Sequence, residues 1–374
     1  MFFRDIIGHT EIKKQLIQTI SDGHVGHALM FLGPEGSGTL PLALAFSGYI
    51  FCENPTLDDR CGKCKSCIQT NAWSHPDLHM SFPIEIQKKI ETTATYAKDF
   101  LAALKEDPYM SLKKWELTIG DGKKKSIITA AESQEIIRLL SLKSFHGGHK
   151  IMIIWHADKM NNAAANKLLK TLEEPTKKTI VILVTASAED FLPTIMSRTQ
   201  KVNCGKLSDS DIARALEDRH EIDPTSAKKY AHISDGNFYL AKMLAMHKEQ
   251  PTDYLDIFTQ WMRACVTSKM PDALTICEKI AAYTKDQQQY FLEYCLQFLH
   301  QSIVYVHLGE NAARFDSEAL QFARKFAPYM EKSDLEGFQR IFSTGHYMVE
   351  RNINPQLLFL KMSQDMMKLF KLNS

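Results

Sequence analysis

Three short apolar runs stand out in the first half of the chain: Ala28–Leu32, Lys150–Trp155 and Thr179–Thr185. Each is followed by turn or capping residues, as buried parallel strands are. Amphipathic stretches lie between them, so residues 1–204 read as an α/β domain built on a parallel sheet. Residues 205–247 read as a small helical unit. It opens on Leu207-Ser208-Asp209-Ser210-Asp211, a helix-start signal, and breaks at Ser234-Asp235-Gly236-Asn237. From residue 250 to Ser374 the text is amphipathic and helical, rich in Phe, Leu, Tyr and Met, and predicts an all-α domain. One segment, at about 80–127, interrupts the α/β text between Asp77 and Ile128. It predicts a helix over Ile86–Leu104 and a hairpin of Lys114–Ile119 and Lys124–Thr129 around Gly120-Asp121-Gly122. Lys113, Lys114, Lys123, Lys124 and Lys125 make the hairpin tip basic. A solvated tip accounts for this charge; contact with DNA phosphates is the alternative.

Composition narrows the class. The 374 residues are 44% hydrophobic and 24% charged, with a net charge of +1. That is a globular balance, and any nucleic-acid contact has to be local or shared with partners. The opening MFFRDIIGHTEIKKQL has no signal-peptide pattern, and no apolar run reaches the roughly 20 residues a bilayer needs, so a cytoplasmic protein without membrane association is expected. Of eight cysteines, Cys204, Cys265, Cys277 and Cys295 are scattered, while Cys52, Cys61, Cys64 and Cys67 cluster at about 50–75. A C-x-x-C-x-x-C triple with a fourth Cys upstream supplies four thiolates to a tetrahedral ion, which predicts structural zinc. Gly62 aids the turn around the metal, and His75 is a spare ligand candidate or a loop residue. The triple also opens one ferredoxin pattern, but Ile68-Gln69-Thr70 lacks the next Cys and Pro, which favours zinc over an iron–sulfur cluster.

Directly after the first strand comes Gly33-Pro34-Glu35-Gly36-Ser37-Gly38-Thr39-Leu40, with the G-x-x-x-x-G frame of a phosphate-binding loop. A working loop continues with Lys, which neutralises phosphate, and a Ser or Thr hydroxyl, which ligates Mg²⁺. Here Thr39 brings no charge and Leu40 no oxygen. Pro41 is acceptable in a helix's first turn. An ordinary glycine-rich turn is the alternative. Further on, Asn166-Lys167-Leu168-Leu169-Lys170-Thr171-Leu172-Glu173-Glu174-Pro175 reads as a helix. Leu168, Leu169 and Leu172 share a face, and Pro175 ends it.

That ten-residue string, the loop, Ile6-Ile7-Gly8-His9, His27-Ala28-Leu29-Met30-Phe31, Ser197-Arg198-Thr199 and Ser234-Asp235-Gly236-Asn237 together resemble the AAA+ clamp-loader subunits of bacterial DNA polymerase III. The resemblance covers nearly all of the first 245 residues; the C-terminal part matches in helical character and position only. It implies an α/β AAA+ P-loop-type domain, a small helical lid and an all-α collar-type oligomerisation domain. It also implies partners: gamma/tau ATPase subunits, a delta subunit, a sliding clamp, and primed DNA within the complex.

Active subunits of that family carry an acidic Asp-Glu pair at the end of the strand before the helix string. Counting back from Asn166 lands on Trp155-His156 instead, and Asp158 is displaced from the position. Active members also place an Arg just beyond the lid break, where this chain has Phe238, Tyr239 and Leu240. With Thr39 and Leu40, four nucleotide elements depart together, which implies a member that hydrolyses no ATP, binds none productively, and serves as a stator within the polymerase holoenzyme. Ser197-Arg198 falls where the family carries an Arg that completes a neighbour's ATP site, although Thr199 replaces the family's Cys. Arg198 is therefore expected to act in trans, with a structural ion pair as the alternative. Two other functions stay open: an active gamma/tau-type ATPase, against which Thr39 and Trp155-His156 stand, and a zinc-dependent nucleic-acid-binding module. In the latter Lys63 and Lys65 would be basic contacts, offset by Glu53, Asp58 and Asp59.

Overall fold

Four of the five residues of Ala28–Leu32 (β1) are buried, and its side chains alternate between two apolar layers. Leu29 and Phe31 enter one layer, Ala28 and Met30 the other. Both faces of the strand are therefore covered, which is what a parallel sheet requires. The computed structural model describes residues 1–86, 92–120, 126–188, 191–246, 254–315, 317–331, 334–351 and 353–371. It divides into two compact units, Met1–Ala215 with Gly236–Tyr239, and Leu216–Asp235 with Leu240–Ser374.

The first unit holds a five-stranded sheet. Besides β1 it contains Leu78–Ser81 (β2), Lys150–Trp155 (β3), Thr179–Thr185 (β4) and Gln200–Asn203 (β5), in the order β2-β3-β4-β1-β5 with every pairing parallel. The three strands legible as apolar runs are the three central ones. The edge strands β2 and β5 are shorter and partly exposed, so they carry no continuous apolar run to betray them.

Helices cross between the strands: Thr10–Ser21 (α1), Thr39–Phe51 (α2), Lys65–Asn71 (α3), Ala97–Glu106 (α4), Leu112–Ile119 (α5), Ala130–Ser141 (α6), Asn162–Glu173 (α7) and Pro193–Met196 (α8). Helix α2 is buried almost all round, from Leu40 to Phe51. In α7, Leu168 and Leu172 face the core and Asn161 caps the start, its Oδ1 accepting from the Ala164 N–H at 2.8 Å. At the foot of β3 the buried Lys150 ammonium donates to the carbonyls of Leu140 and Leu142, closing the C-terminal end of α6.

The segment between β2 and α6 departs from its sequence reading. Among the described residues the expected hairpin arms do not pair: the first, Lys114–Ile119, lies inside α5. Leu112, Trp115 and Ile119 recur at helical spacing, and the Ser111 hydroxyl caps the helix by accepting from the Lys114 N–H at 3.1 Å. The second arm pairs elsewhere, Ile127 bridging to Ile84 and Ile128 to Met160. Lys113 and Lys114 therefore ride on a helix, and the rest of the basic tip, Lys123–Lys125, lies outside the described residues. The helix expected over Ile86–Leu104 begins only at a 3-10 turn, Thr93–Tyr96, and continues as α4. Its first part, residues 87–91, is outside the described residues. The Glu132 carboxylate takes both the backbone N–H and the hydroxyl of Thr93, at 2.9 and 2.7 Å, and fixes where the segment resumes.

After the sheet come Asp209–His220 (α9), Pro224–Ile233 (α10) and Phe238–Met246 (α11). Then follow Tyr254–Val266 (α12), Met270–Ala281 (α13), Lys285–Leu308 (α14), Ser317–Met330 (α15), Leu335–Glu350 (α16) and Pro355–Lys371 (α17). The second unit has its own core, in which α14 lies on α16, and α13 and α16 lie on α17. Phe258, Trp261, Phe291, Phe342 and Phe359 fill it, and the buried Trp261 indole N–H donates to the Ser363 hydroxyl at 2.7 Å. No helix among the described residues is long and apolar enough to cross a membrane.

Trp115 anchors the inserted segment. It is fully buried, donates to the Pro83 carbonyl at 2.8 Å, and sits edge-on to Phe82 and Phe100. Trp115→Ala should cost about 3–5 kcal/mol in urea unfolding of the first unit. A change below about 1 kcal/mol would mean the segment is not part of that core.

Candidate functional site

The loop Gly33–Gly38 runs from the C-terminal end of β1 into α2, at the edge of the sheet where parallel α/β folds place their ligands. Its backbone shape is kept: Gly36 and Gly38 have φ of +71° and +94°, a region that disfavours side chains. The groups that would handle phosphate charge are missing. Thr39 is the first residue of α2, and Leu40 is 3% exposed and belongs to the core.

The concavity over the loop is filled by the protein itself. An added Cβ on Gly36 would lie 1.8 Å from Asn237 Oδ1, and the Phe238 N–H donates to the Gly36 carbonyl at 3.0 Å. A Cβ on Gly38 would lie 2.9 Å from the ring of Tyr109. Glu35 turns its carboxylate to the N–H of Leu112, at 2.5 Å, and the His9 ring pairs with the Ser37 carbonyl at 2.7 Å. Burial lowers the His9 pKa, so its neutral ring is favoured there. The remaining cavity, bounded by Gly33, Thr39, Tyr109, Trp155, His156 and Thr185, has a volume of about 20 Å³. That is room for one or two waters, each of which needs about 10–15 Å³.

At the end of β3, Trp155 is buried and His156 adopts a left-handed φ of +48°. His156 Nε2 lies 3.8 Å from Glu35, and its Nδ1 lies 3.5 Å from Asp158. Asp158 stands beside the loop, but its carboxylate is already engaged: Thr185 Oγ1 donates to it at 3.0 Å and Lys159 Nζ lies 2.9 Å away. Burial pushes the Asp158 pKa up, but the nearby His156 ring and the Lys159 ammonium outweigh it and hold the carboxyl well below the usual carboxylate range.

Arg198 lies just beyond α8. Its Nε and Nη2 both reach Glu173 Oε1 at 2.5 Å, and Nη1 donates to the Thr194 carbonyl and the Ser197 hydroxyl at 2.8 and 3.1 Å. The partner is thus Glu173, the last residue of α7. Both side chains remain partly exposed.

The four clustered cysteines converge. Their sulfurs all lie within 4.8 Å of one another, with Cys61 and Cys67 3.9 Å apart. Four sulfurs about 2.3 Å from a tetrahedral ion lie about 3.8 Å apart, so the set fits a metal of that kind. Backbone N–H groups point at the sulfurs, from Cys61 to Cys52 at 3.2 Å, from Cys64 to Cys61 and from Cys67 to Cys64 at 3.4 Å. Donation from the N–H groups of Lys63 and Cys64 brings the Cys61 thiol down to about 6, towards the thiolate a metal takes. Burial pushes Cys52 and Cys67 the other way. His75 is not among the converging donors: its ring stacks on Phe51 at 3.9 Å and its Nδ1 accepts from the Asp77 N–H at 3.2 Å. The acids near the cluster are structural ties. Buried Asp59 accepts from the N–H groups of Phe3, Arg4 and Arg60, and Glu53 takes the N–H and hydroxyl of Ser66 at the start of α3.

Tyr109, Asn237, Glu173 and Glu35 are site residues that no sequence pattern singled out for these roles. Glu35 and Glu173 sit inside recognised strings, so their positions were visible and their pairings were not. Tyr109 comes from the inserted segment, whose approach to the loop is a tertiary fact.

A five-stranded parallel sheet with a phosphate-type loop after its first strand, flanked by helices, defines this chain as a P-loop-type α/β protein. The chain belongs to the family described as "DNA polymerase III, delta subunit", whose model matches residues 8–208, more than half its length. It is similar to the DNA polymerase III subunit delta' of Bacillus subtilis, 28% identical over 60% of this chain and 55% of that one. It is similarly related to the delta' subunit of Pseudomonas aeruginosa, 28% identical over 51% of this chain and 48% of that one. Bacillus subtilis DNA polymerase III subunit tau is 24% identical over 63% of this chain and 35% of that one. The chain spans about half the length of the curated delta' relatives it matches.

The Asp158 arrangement predicts a pH dependence. A carboxyl depressed in the folded state contributes stability above its unfolded pKa, about 3.9, and loses it as pH falls towards the folded value. Asp158→Asn should therefore destabilise the protein by about 1–3 kcal/mol in urea unfolding at pH 7. The difference from wild type should shrink below about pH 4; a gap that widens on acidification would contradict the assignment.

Proposed function

We propose that the chain is a non-hydrolysing, stator-type subunit of the DNA polymerase III clamp loader, working in the cytoplasm with gamma/tau ATPase subunits and a delta subunit to load a sliding clamp onto primed DNA. The observation that carries this reading is the phosphate loop: its backbone form is kept, Thr39 and Leu40 replace the cation and the metal-binding hydroxyl, and protein groups fill the space above it. A bound triphosphate would be opposed by backbone N–H groups and the α2 terminus alone, the latter contributing about 0.3–1 kcal/mol per nearby charge. An active gamma/tau-type reading would need an acid free to hold Mg²⁺ at the end of β3, where Asp158 is already committed to Thr185, His156 and Lys159.

Arg198 then serves a neighbour's site. Phosphoryl transfer spreads negative charge over the γ-phosphate oxygens, and the guanidinium carries a permanent charge on a planar fork that bridges two oxygens. Its present partner does not oppose this. Exposed ion pairs are worth about 0–1 kcal/mol, so exchanging Glu173 for phosphate costs little. Zinc at Cys52, Cys61, Cys64 and Cys67 would hold the end of α2 and the start of α3 together; its role in this reading is structural.

Three measurements test the proposal. Steady-state assays of the isolated protein should show no ATP turnover, and Thr39→Lys alone should create none. In a reconstituted loader, Arg198→Ala should assemble normally while the rate at one ATP site falls by roughly 10³–10⁵; normal clamp loading by the assembled variant would remove the trans role. Elemental analysis should find about one zinc per chain. Iron in its place, or clearly substoichiometric zinc, would count against the metal assignment.

A further inference from the structure

The segment between α4 and α5 belongs to the insertion, yet it ends up over the phosphate loop. Tyr109 is 4% exposed and makes contacts of three kinds there. Its hydroxyl accepts from the Ile7 N–H at 2.9 Å. Its ring lies against Gly38, where a Cβ would come within 2.9 Å, and meets the ring of Phe238 edge-on with centroids 5.0 Å apart. The local backbone is built to hold it: the Tyr109 N–H donates to the Asp107 carboxylate at 2.8 Å, and Asp107 is itself buried. Two residues on, Ser111 starts α5, and the Leu112 N–H donates to Glu35 in the loop at 2.5 Å. Tyr109 and the α5 end of this short segment are therefore tied to the phosphate loop or to the chain beside it.

We propose that residues 107–112 are a resident plug: Tyr109 and its neighbours occupy the space over the phosphate loop that a nucleotide would need, so the loop is closed by sterics as well as by the loss of charge. The inference rests on the non-hydrolysing reading and gives the insertion its role. It separates two causes that the sequence confounds. Thr39 and Leu40 remove the chemistry that binds phosphate, whereas the plug removes the room. With Tyr109 against Gly38 and Asn237 against Gly36, restoring the lysine alone leaves the space over the loop occupied. The plug also satisfies the buried Ile7 N–H, just before α1.

The experiment is equilibrium dialysis with radiolabelled ATP and Mg²⁺ on four full-length proteins: wild type, Thr39→Lys, Tyr109→Ala and the double variant. Circular dichroism and thermal melting confirm that each is folded. Wild type and Thr39→Lys should retain no ATP at millimolar concentration, and the double variant should bind at least tenfold more tightly than Thr39→Lys. Equal binding by Thr39→Lys and the double variant would overturn the plug while leaving the non-hydrolysing reading intact, as would a folded double variant that binds nothing. Wild-type turnover of ATP that is lost on changing Gly36 would overturn that reading itself. Should Tyr109→Ala fail to fold, hydrogen exchange on the wild type decides. Amides in 107–112 should exchange slowly without nucleotide and be unaffected by ATP; fast exchange, or a change on adding ATP, would overturn the plug.

Discussion

The phosphate loop is the constraint on which the rest of the structure depends. A strand–loop–helix of this form gathers backbone N–H groups into a concavity suited to an anion. In this chain protein groups bond the loop's carbonyls and its glutamate. Phe238 bonds the Gly36 carbonyl, His9 pairs with the Ser37 carbonyl, and Glu35 turns away to Leu112. Leu40, at the position that would otherwise face a metal, joins the core beneath the sheet. The loop keeps its positive-φ glycine backbone with these protein contacts around it.

The same helix that starts at this loop ends at the cysteines. Thr39 opens α2, Cys52 caps its end, and nearly every residue between them is buried. A helix fixed at one end by a packed loop and at the other by four converging sulfurs has little freedom to shift. That rigidity is what a subunit needs if it is to present a side chain to a neighbour without itself changing with nucleotide. In the proposed stator role the side chain so presented is Arg198, which lies on the short connection between α8 and β5, is held by Glu173, Thr194 and Ser197, and is still partly open to solvent.

Sequence pattern revealed the central strands because burial on both faces leaves a continuous apolar run, as in Lys150–Trp155 and Thr179–Thr185. It missed β2 and β5, which have one strand neighbour each and mixed exposure. The inserted segment misled for a different reason. Gly120-Asp121-Gly122 carries a strong turn signal, but Leu112, Trp115 and Ile119 lie at helical spacing, and packing of Trp115 against Phe82 and Phe100 decides in favour of the helix. The cysteine set was legible because the spacing itself encodes the geometry. The Glu173 partner of Arg198 and the approach of Tyr109 were not, because they join residues far apart in the chain that no local period connects.

The most direct test of the central claim is assembly with catalysis measured together. The chain would be combined with gamma/tau-type ATPase subunits, a delta subunit and a sliding clamp. Mass and ATP turnover would then be followed on primed DNA, with and without this chain. The account predicts that the chain enters a stable complex and raises its clamp- and DNA-stimulated turnover, while contributing no turnover when alone. A chain that hydrolyses ATP by itself, or that stays out of the complex while clamps are loaded at full rate, would contradict it.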